Sequence, residues 1–513
     1  MNKIKINRLW RLLILVAIWI AMATSFPHQT FAQTGEIDWT EPVNLSNTPD
    51  LTSIDPFLLS DPAGGVHLFW AEKVILGGAQ NPDTIMYTYW DGENWSKPMD
   101  IFFSPISDGN QVVAFPQAVI DDNGRIHLFW LSEPNAPYFS LNYSWVEASQ
   151  ARFTSAWQPK IIIADDLTGT KYSFHIAYSP PNTLHLIYAG GMAVGDRPLE
   201  DFTVRYFRSD DLGETWSKPV TIFTSPVSLW GASDTRMIFV PPSNLYASWT
   251  LWDDDGNGFR IYFSDSQDNG FTWAEPVILT ENREDEYERD WNNLVYLEDN
   301  HIMAMWEGGW RAYRQAQHSF DGGATWGDPI DTFPNLIGDN GFVEFAQDSN
   351  GTWHSFNAQR PREGSDLSFS MEAMNSLWHS VWLGGTVWSD PTPAITAEMT
   401  NPKVAIVNGN RIVAVWYGSL IYEIMVTTGV IRDAPVIPSV PWDEPVVSVT
   451  NVPAEVIPSP IIVETSQPTP TPVIVKSAGD VQTINTFPLL LGVVSSLVIS
   501  VIMVTMVVFK RRI

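Results

Sequence analysis

A tryptophan followed two or three residues later by a proline recurs seven times along this chain. The seven pairs are Trp39-Pro42, Trp95-Pro98, Trp157-Pro159, Trp216-Pro219, Trp273-Pro276, Trp326-Pro329 and Trp388-Pro391. The tryptophans of the first and last pairs are 349 residues apart, so that the mean interval between successive pairs is about 58 residues. So regular a spacing is typical of a fold that repeats one structural unit around a ring or along a stack.

Each interval also contains a strand-like run, a turn rich in Asp, Asn, Gly or Pro, and a second run that ends in an aromatic residue. In the first interval the turn Asp61–Gly65 precedes Val66–Trp70, and in the next Asp121–Gly124 precedes Arg125–Trp130. In later intervals the same position holds Tyr188, Trp249, Trp306, Asn357 and Trp416. Four short strands per unit form the blade of a β-propeller. The sequence therefore predicts an all-β propeller over residues 37–430, with seven four-stranded blades and six as the alternative.

The order of the strands predicts how the ring closes. Trp39 begins an outermost strand with no inner strands before it, whereas the last unit, roughly residues 400–428, lacks an outer strand of its own. We expect the N-terminal strand to complete the last blade, because this arrangement removes an open sheet edge. The segment that begins at Trp442 is a rival for the same position.

Three turns between a third and a fourth strand share the pattern S-x-D-x-G-x-T-W, namely Ser209–Trp216, Ser266–Trp273 and Ser319–Trp326. In such a turn the Ser and Asp side chains bond local backbone amides, the glycine supplies a positive φ, and the tryptophan packs beneath the loop. On this motif the chain resembles the sialidase superfamily, with its Asp boxes or BNR repeats, from about Trp39 to about Val430. An Asp box is a folding element, so we expect no catalytic or metal-binding role for its aspartates.

The resemblance implies a sugar site on one face of the propeller. Loops from each fourth strand to the next first strand share this face with the second-to-third loops, and the Asp boxes lie on the opposite face. Sialidases bind the sugar carboxylate with three arginines and use a tyrosine assisted by a glutamate as nucleophile, with an aspartate as acid/base. The residues that match these roles here are Arg236, Arg289 and Arg311, then Tyr287 with Glu288, and Asp55. Trp252 and Trp310 lie outside the repeated aromatic register and are expected to contact the sugar.

Two features depart from the family pattern. Sialidases have an early arginine in an aromatic-Arg-Ile-Pro phrase, whereas the first arginine here after the N-terminal segment is Arg125, at the wrong end of a second strand. Sialidases are also six-bladed, and seven units are counted here. The alternative hypothesis is therefore a non-catalytic propeller that binds glycans or proteins at the cell envelope. On that hypothesis Tyr287–Asp290 is a solvated charged loop.

We expect neither a cofactor nor a metal. His67, His127, His185 and His354 occupy equivalent positions in four blades, too far apart to share one ion, so that a scaffold role is expected. The acidic turn Asp253–Gly258 lacks the downstream glutamate of a calcium loop. The chain has no cysteine, which excludes disulfides, thiolate metal sites and a cysteine nucleophile.

The charge balance narrows the class of partner. The chain has 58 acidic and 29 basic residues, a formal net charge of −29. A protein that binds nucleic acid needs clustered Lys and Arg to contact the phosphates, so nucleic acid is not an expected partner. The expected partners are a carbohydrate, a glycoconjugate or else a surface protein, together with the membrane through the C-terminal helix.

Both ends of the chain predict export and anchoring. Residues 1–32 have the pattern of a signal peptide, with four basic residues, an apolar run and a small-residue cleavage site ending at Ala32. Residues 487–509 are uncharged and long enough to cross a bilayer as a helix. The basic residues that follow place the tail, residues 510–513, in the cytoplasm.

A proline-rich stalk is predicted between the propeller and the membrane helix, over residues 431–486. Ten prolines lie within residues 435–472. Proline at this density favours an extended and semi-rigid spacer. The sequence thus predicts a single-pass cell-membrane protein with its propeller outside the cell.

Overall fold

The computed structural model describes residues 35–49, 51–74, 82–103, 113–135, 138–192, 203–227, 230–253, 257–281, 289–309, 312–338, 341–362, 376–418 and 422–442. All of them belong to one compact unit, Met1–Pro445. The predicted signal peptide, membrane helix, cytoplasmic tail and most of the stalk lie outside these residues. Within the described part of the chain, no helix is long and apolar enough to span a membrane.

The regular secondary structure of the described residues consists almost entirely of β-strands. In chain order these are β1 (Ile37–Trp39), β2 (Val43–Asn44), β3 (Ser53–Ser60), β4 (Val66–Glu72), β5 (Thr84–Trp90), β6 (Met99–Phe103), β7 (Val113–Ile120), β8 (Arg125–Asn135), β9 (Tyr138–Glu147), β10 (Ile161–Ser179), β11 (Thr183–Met192), β12 (Thr203–Ser209), β13 (Val220–Thr224), β14 (Gly231–Val240), β15 (Asn244–Trp252), β16 (Gly258–Ser266), β17 (Val277–Glu281), β18 (Arg289–Glu298), β19 (His301–Gly308), β20 (Tyr313–Ser319), β21 (Ile330–Asp331), β22 (Leu336–Ile337), β23 (Glu344–Gln347), β24 (Trp353–Pro361), β25 (Ser376–Gly384), β26 (Val387–Trp388), β27 (Thr392–Ile395), β28 (Thr400–Val407), β29 (Arg411–Tyr417) and β30 (Ile424–Ile431). Two 3-10 helices, Ala148–Gln150 and Thr154–Ala156, lie between β9 and β10.

These strands form a seven-bladed propeller of four-stranded antiparallel blades, as the sequence predicts. The long strand β10 serves two blades, because its first part pairs with β9 and its last part with β11. The first strands of neighbouring blades contact one another around the axis. Blade 1 consists of β3–β6, blade 2 of β7–β9 with the first part of β10, and blade 3 of the last part of β10 with β11–β13. Blade 4 consists of β14–β17, blade 5 of β18–β21 and blade 6 of β22–β27. Blade 7 consists of β28–β30 together with β1 and β2.

Second strands are buried on both faces, which is why they are near-continuous apolar runs. In β4, Phe69 packs with blade 2, whereas Leu68 and Trp70 pack with Val415 and Ile424 of blade 7. The aromatic residues that recur at the position of Trp70 are at most 2% exposed. Each of them packs in a hydrophobic cluster between two neighbouring blades.

The N-terminal strand closes the ring, as predicted from Trp39. Ile37, Asp38 and Trp39 pair with Ile431, Val430 and Gly429 of β30, and β2 pairs with β30 further along. The rival segment at Trp442 does not take this position. The outer edge of blade 7 is therefore completed by residues from the other end of the chain.

The three S-x-D-x-G-x-T-W turns have the same internal hydrogen bonds. In the first, the Gly213 amide donates to Ser209 Oγ (2.8 Å), the Thr215 amide to Asp211 Oδ1 (2.8 Å) and the Thr215 hydroxyl to Asp211 Oδ2 (2.7 Å). The other two turns repeat these bonds within 0.1 Å. The carboxylate of each turn is therefore occupied by its own loop, in agreement with a structural role.

Each of these turns also docks on the preceding blade. Gly270 lies against the ring of Tyr206, so closely that an added Cβ would overlap the hydroxyl, and Trp273 packs on the same ring at 5.1 Å between centroids. Gly213 and Trp216 contact Tyr143 in the same way. The glycine is therefore required both for its positive φ and for the close approach of two blades.

The repeated histidines lie inside the blades. His67, His127, His185 and His354 are fully buried. His67 Nδ1 is 2.8 Å from the Tyr87 hydroxyl, and its Nε2 is 3.2 Å from Asp61 Oδ2. Each of the other three makes two comparable hydrogen bonds within its own blade. The histidines thus link the strands and turns of single blades.

Residues 432–442, which we call the strap, follow β30. They cross the face of the propeller that carries the first-to-second strand turns and the S-x-D-x-G-x-T-W turns, which we call the hairpin-turn face. The Asp433 carbonyl accepts from Asn350 of blade 6 (2.9 Å), and the Ile437 amide donates to Asn408 of blade 7 (2.8 Å). The Trp442 indole then donates to Asp61 of blade 1 (2.8 Å) and lies over Gly124 of blade 2. The first part of the predicted stalk therefore ties four blades together.

We expect Trp442→Ala to lower the free energy of unfolding by about 2 kcal/mol, because it removes a half-buried indole and its hydrogen bond. Trp442→Phe keeps most of the packing and should cost about half as much. Denaturant unfolding of both variants measures the difference. Equal stability of Trp442→Ala and the wild type would show that the contacts of Trp442 add nothing to the stability of the propeller.

Candidate functional site

Bulges on the inner strands turn side chains towards the axis. The register between first and second strands shifts near the start of the first strand in blades 1, 2, 3, 4, 5 and 7. At five of these bulges a residue other than glycine has a left-handed φ between 48° and 56°, namely Asp55, Phe115, Asp234, Trp291 and Asn401. Bulges re-aim side chains, and strained backbone of this kind concentrates at functional sites.

Two rings of side chains result, one residue per blade in each. The upper ring consists of Asp55, Phe115, Ser173, Asp234, Trp291, Phe342 and Asn401. The lower ring, two residues further along each strand, consists of Phe57, Gln117, His175, Arg236, Asn293, Glu344 and Lys403. All fourteen line one cavity of about 300 Å³ on the propeller axis, which we call the axial cavity.

Hydrogen bonds between neighbouring blades hold the upper ring in place. The Phe115 amide donates to Asp55 Oδ2 (3.4 Å), the Thr235 amide to Ser173 Oγ (3.0 Å), and the Trp291 amide to Asp234 Oδ2 (3.3 Å). In each case the side chain of one blade accepts from the backbone of the next. The cavity wall is thus preorganised by the same contacts that join the blades.

Asp55 is the carboxyl group suited to proton transfer. Burial raises the pKa of Asp55 to about 6, against the opposing effects of the Phe115 amide and the Lys403 charge. Part of its side chain stays open to the cavity. A carboxyl group whose pKa lies near neutrality can both give and accept a proton in that range.

Arg236 lies beside two aromatic rings. Its guanidinium carbon is 3.4 Å from the centroid of the Phe342 ring, and Trp291 meets Phe342 edge to face at 4.8 Å. Burial lowers the pKa of Arg236 to about 10, and the charges of Glu344 and Asp234 oppose the shift, so that the group stays protonated. The wall therefore offers a cationic donor next to apolar ring surface.

The second cation, Lys403, is ion-paired. Its Nζ is 2.6 Å from Glu344 Oε1, and both side chains are largely buried. His175 lies in the same ring, and burial together with the charges of Arg236 and Lys403 lowers its pKa to about 3. The imidazole is therefore neutral at physiological pH, and its Nδ1 accepts from the Met237 amide at 3.4 Å.

The structure brings two of the eight predicted site residues together. Asp55 and Arg236 line the axial cavity in adjacent rings. Trp252 ends the inner strand β15 of blade 4, opposite Gly231, and is not part of the described lining of the cavity. Arg289 begins β18 opposite Gly308, but its side chain is not described. The others, Tyr287, Glu288, Trp310 and Arg311, lie outside the described residues, and their roles stay predictions.

Sequence reasoning missed much of the cavity wall. His175, Trp291, Phe342, Glu344 and Lys403 were not predicted, because they lie near the starts of first strands and not in the loops where the resemblance places the site. The signal that finds them is the phase of the repeat: successive residues of the upper ring are 51 to 61 positions apart. Asp-Pro, Phe-Pro and Asn-Pro steps mark three of the seven positions.

Among the described residues, no group of three or more His, Asp or Glu side chains could hold a metal ion. The turn that begins at Asp253 is closed by hydrogen bonds from Asn257 to the Asp253 carboxylate, including an amide bond of 2.8 Å.

No protein-family model and no curated protein matches the chain. Among solved structures, a ulvan lyase from a new polysaccharide lyase family is similar over 77% of this chain and 94% of its own, with 12% identity and a TM-score of 0.50. The Hadza microbial sialidase Hz136 (14% identity, 79% and 98% coverage, TM-score 0.44) is also similar. So is the intramolecular trans-sialidase of Ruminococcus gnavus (12%, 79% and 100%, TM-score 0.40). At these identities the likeness concerns the propeller fold.

Proposed function

We propose that the axial cavity is a carbohydrate site and that the protein is a distant relative of the sialidases that recognises and hydrolyses terminal glycosides. The observation that carries the proposal is the combination of polar and aromatic groups in the lining of one cavity. Arg236 and Asp55 supply a donor and an acceptor, while Trp291 and Phe342 supply ring faces and edges. A sugar ring has both hydroxyls and apolar C–H faces, which is the surface that such a wall complements.

The size of the cavity supports the proposal. Its volume of about 300 Å³ lies at the lower end of the range for small-molecule sites. The similar solved propellers are described as a ulvan lyase and sialidases. For this chain that likeness supports the fold, and the chemistry of the cavity supports the ligand.

Asp55 is proposed as the acid/base residue. Its raised pKa keeps a proton available near neutrality, as protonation of a leaving group requires. A nucleophile would come from Tyr287 with Glu288, as the family resemblance implies. A membrane-anchored location, with the propeller outside the cell, belongs to the same proposal and rests on residues 1–32 and 487–509.

Hydrolysis of a fluorogenic panel of sialosides and neutral glycosides by the full-length protein tests the proposed function. We expect Asp55→Asn to lower kcat about a hundredfold for any substrate that is turned over. Asp122→Asn, an exposed carboxylate on the hairpin-turn face, is the matched control and should leave kcat unchanged. Equal rates for Asp55→Asn and the wild type would refute the role of Asp55.

A folded protein that binds sugars but turns over none of the panel would favour the alternative of a non-catalytic glycan-binding propeller. Binding is measured separately by calorimetry, so that the two results are independent. Failure to bind any sugar would overturn the carbohydrate proposal itself.

A further inference from the structure

The described wall of the axial cavity has more carboxyl groups than cations. Asp55, Asp234 and Glu344 face Arg236 and Lys403. His175 is neutral near pH 7, because its pKa is lowered to about 3. With all three carboxyls ionised, the described lining has a formal charge of −1, within a chain whose net charge is −29.

Each described cation of the wall already has a partner or a cover. Lys403 is 2.6 Å from Glu344, and their side chains are only 16% and 19% exposed. A charge-assisted hydrogen bond at this burial is strong, because little water competes for it. The ring of Phe342 covers one face of the Arg236 guanidinium, with 3.4 Å between the guanidinium carbon and the ring centroid, and Nη1 of Arg236 donates to the Thr235 carbonyl at 2.9 Å.

We propose that Glu344 makes the axial cavity selective for uncharged and amino-bearing sugars over sugars that bear a carboxylate, an inference that rests on the proposed carbohydrate site. Glu344 neutralises Lys403 and thereby removes a cation with which a ligand carboxylate would pair. A carboxylate ligand would then face Asp55 and Asp234, both acceptors that lack a proton to donate when ionised. Like charges placed together in a half-buried site discriminate by repulsion as well as by lost attraction.

A ligand amine meets the opposite situation. An ammonium group has three donors and no acceptor, and the carboxylates of the upper ring accept hydrogen bonds. An uncharged sugar has no carboxylate for Asp55 and Asp234 to repel, and its hydroxyls can hydrogen bond to Arg236 and Asp55. The order of affinity expected at pH 7.5 is therefore amino sugar at or above neutral sugar, and both above uronate.

Two matched sugar series test this order by calorimetry on the full-length protein. The series are glucose, glucosamine and glucuronate, and galactose, galactosamine and galacturonate, in which the members differ mainly in charge. In the wild type we expect uronates to bind weakest. In Glu344→Gln, which frees Lys403, the affinity for a uronate should rise about tenfold.

Two further variants separate the role of Glu344 from general effects. Glu298→Gln changes the net charge by the same amount at an exposed residue at the far end of β18, and should leave the order unchanged. The double variant Glu344→Gln/Lys403→Gln should lose the gain in uronate affinity, because the freed cation is then absent. Thermal unfolding of each variant verifies that it is folded.

A wild-type preference for the uronate, or an unchanged uronate affinity in folded Glu344→Gln, would overturn this inference and leave the carbohydrate site standing. Binding of no member of either series would overturn the proposed carbohydrate site and this inference with it. The two failures are therefore distinguishable.

Discussion

Acidification from about pH 7.5 to about pH 5 is expected to lower the free energy of unfolding of this propeller by about 7 kcal/mol. Four histidines carry the effect, because burial lowers their pKa far below that of an exposed imidazole. The pKa falls to about 3 for His175, His185 and His379 and to about 4 for His318. Charges of neighbouring arginines or histidines add to the effect of burial in each case.

The direction of this pH effect follows from the difference in proton binding between the folded protein and the unfolded chain. In the unfolded chain these imidazoles titrate near pH 6.5, so they bind protons there while the folded protein does not. Stability is therefore complete above about pH 6.5 and is lost progressively as the pH falls towards the folded pKa values. At pH 5 the loss is about 2 kcal/mol for each histidine, and Asp55 offsets about 1 kcal/mol of the sum.

Asp55 acts in the opposite direction. Its folded pKa of about 6 is above the unfolded value, so protonation between about pH 7 and pH 4 favours the folded state. Asp55→Asn should therefore steepen the acid loss, whereas His175→Asn should flatten it by about a quarter. The two variants lie in the same cavity and are expected to change the slope with opposite signs.

Chemical denaturation at a series of pH values measures the whole dependence. A free energy of unfolding that is constant between pH 7.5 and pH 5 would contradict the buried, neutral state of these histidines. Parallel curves for His175→Asn and the wild type would contradict the assignment to His175 alone.

Gly270→Ala is expected to lower the free energy of unfolding by about 3 to 4 kcal/mol. Its φ of +87° costs an alanine about 1 to 2 kcal/mol. The added methyl group would also overlap the hydroxyl of Tyr206, which is buried and hydrogen bonded to His185 Nδ1 at 2.6 Å. Overpacking against a fixed ring adds about 2 kcal/mol.

The chain contains a matched control for the backbone part of this cost. Gly384 also has a positive φ, +102°, but a Cβ there would meet nothing within 4 Å. Gly384→Ala should therefore cost only about 1 to 2 kcal/mol. Denaturant midpoints of the two variants measure the difference. Equal losses would show that blade docking at Tyr206 does not depend on the glycine.

The propeller could be predicted because its determinants are local and repeated. The spacing of the Trp-Pro pairs predicted the blades, and the unpaired strand at Trp39 predicted the closure. The hairpin turns were predictable down to the hydrogen bonds of Ser209 and Asp211, since those bonds lie within eight consecutive residues.

The axial cavity was only partly predictable because it is assembled from seven strands distant in sequence. Asp55 and Arg236 were found from the resemblance and the expected face. The ion pair of Glu344 with Lys403 joins residues of two blades, and no local sequence pattern predicts it. The left-handed φ that displaces Trp291 towards the axis is likewise a consequence of a bulge and of packing around the ring.

The pairing of β1 with β30 also has a consequence for how the chain is made. Arg432 bonds Asp38 across a separation of 394 residues, and the strand partners are almost as distant. During synthesis the first strand must wait unpaired until nearly the whole propeller has emerged, and loop closure over such a length is slow. A chain that ends before β30 retains an incomplete blade and an exposed edge. Completion of the ring thus distinguishes a full-length product from a truncated one.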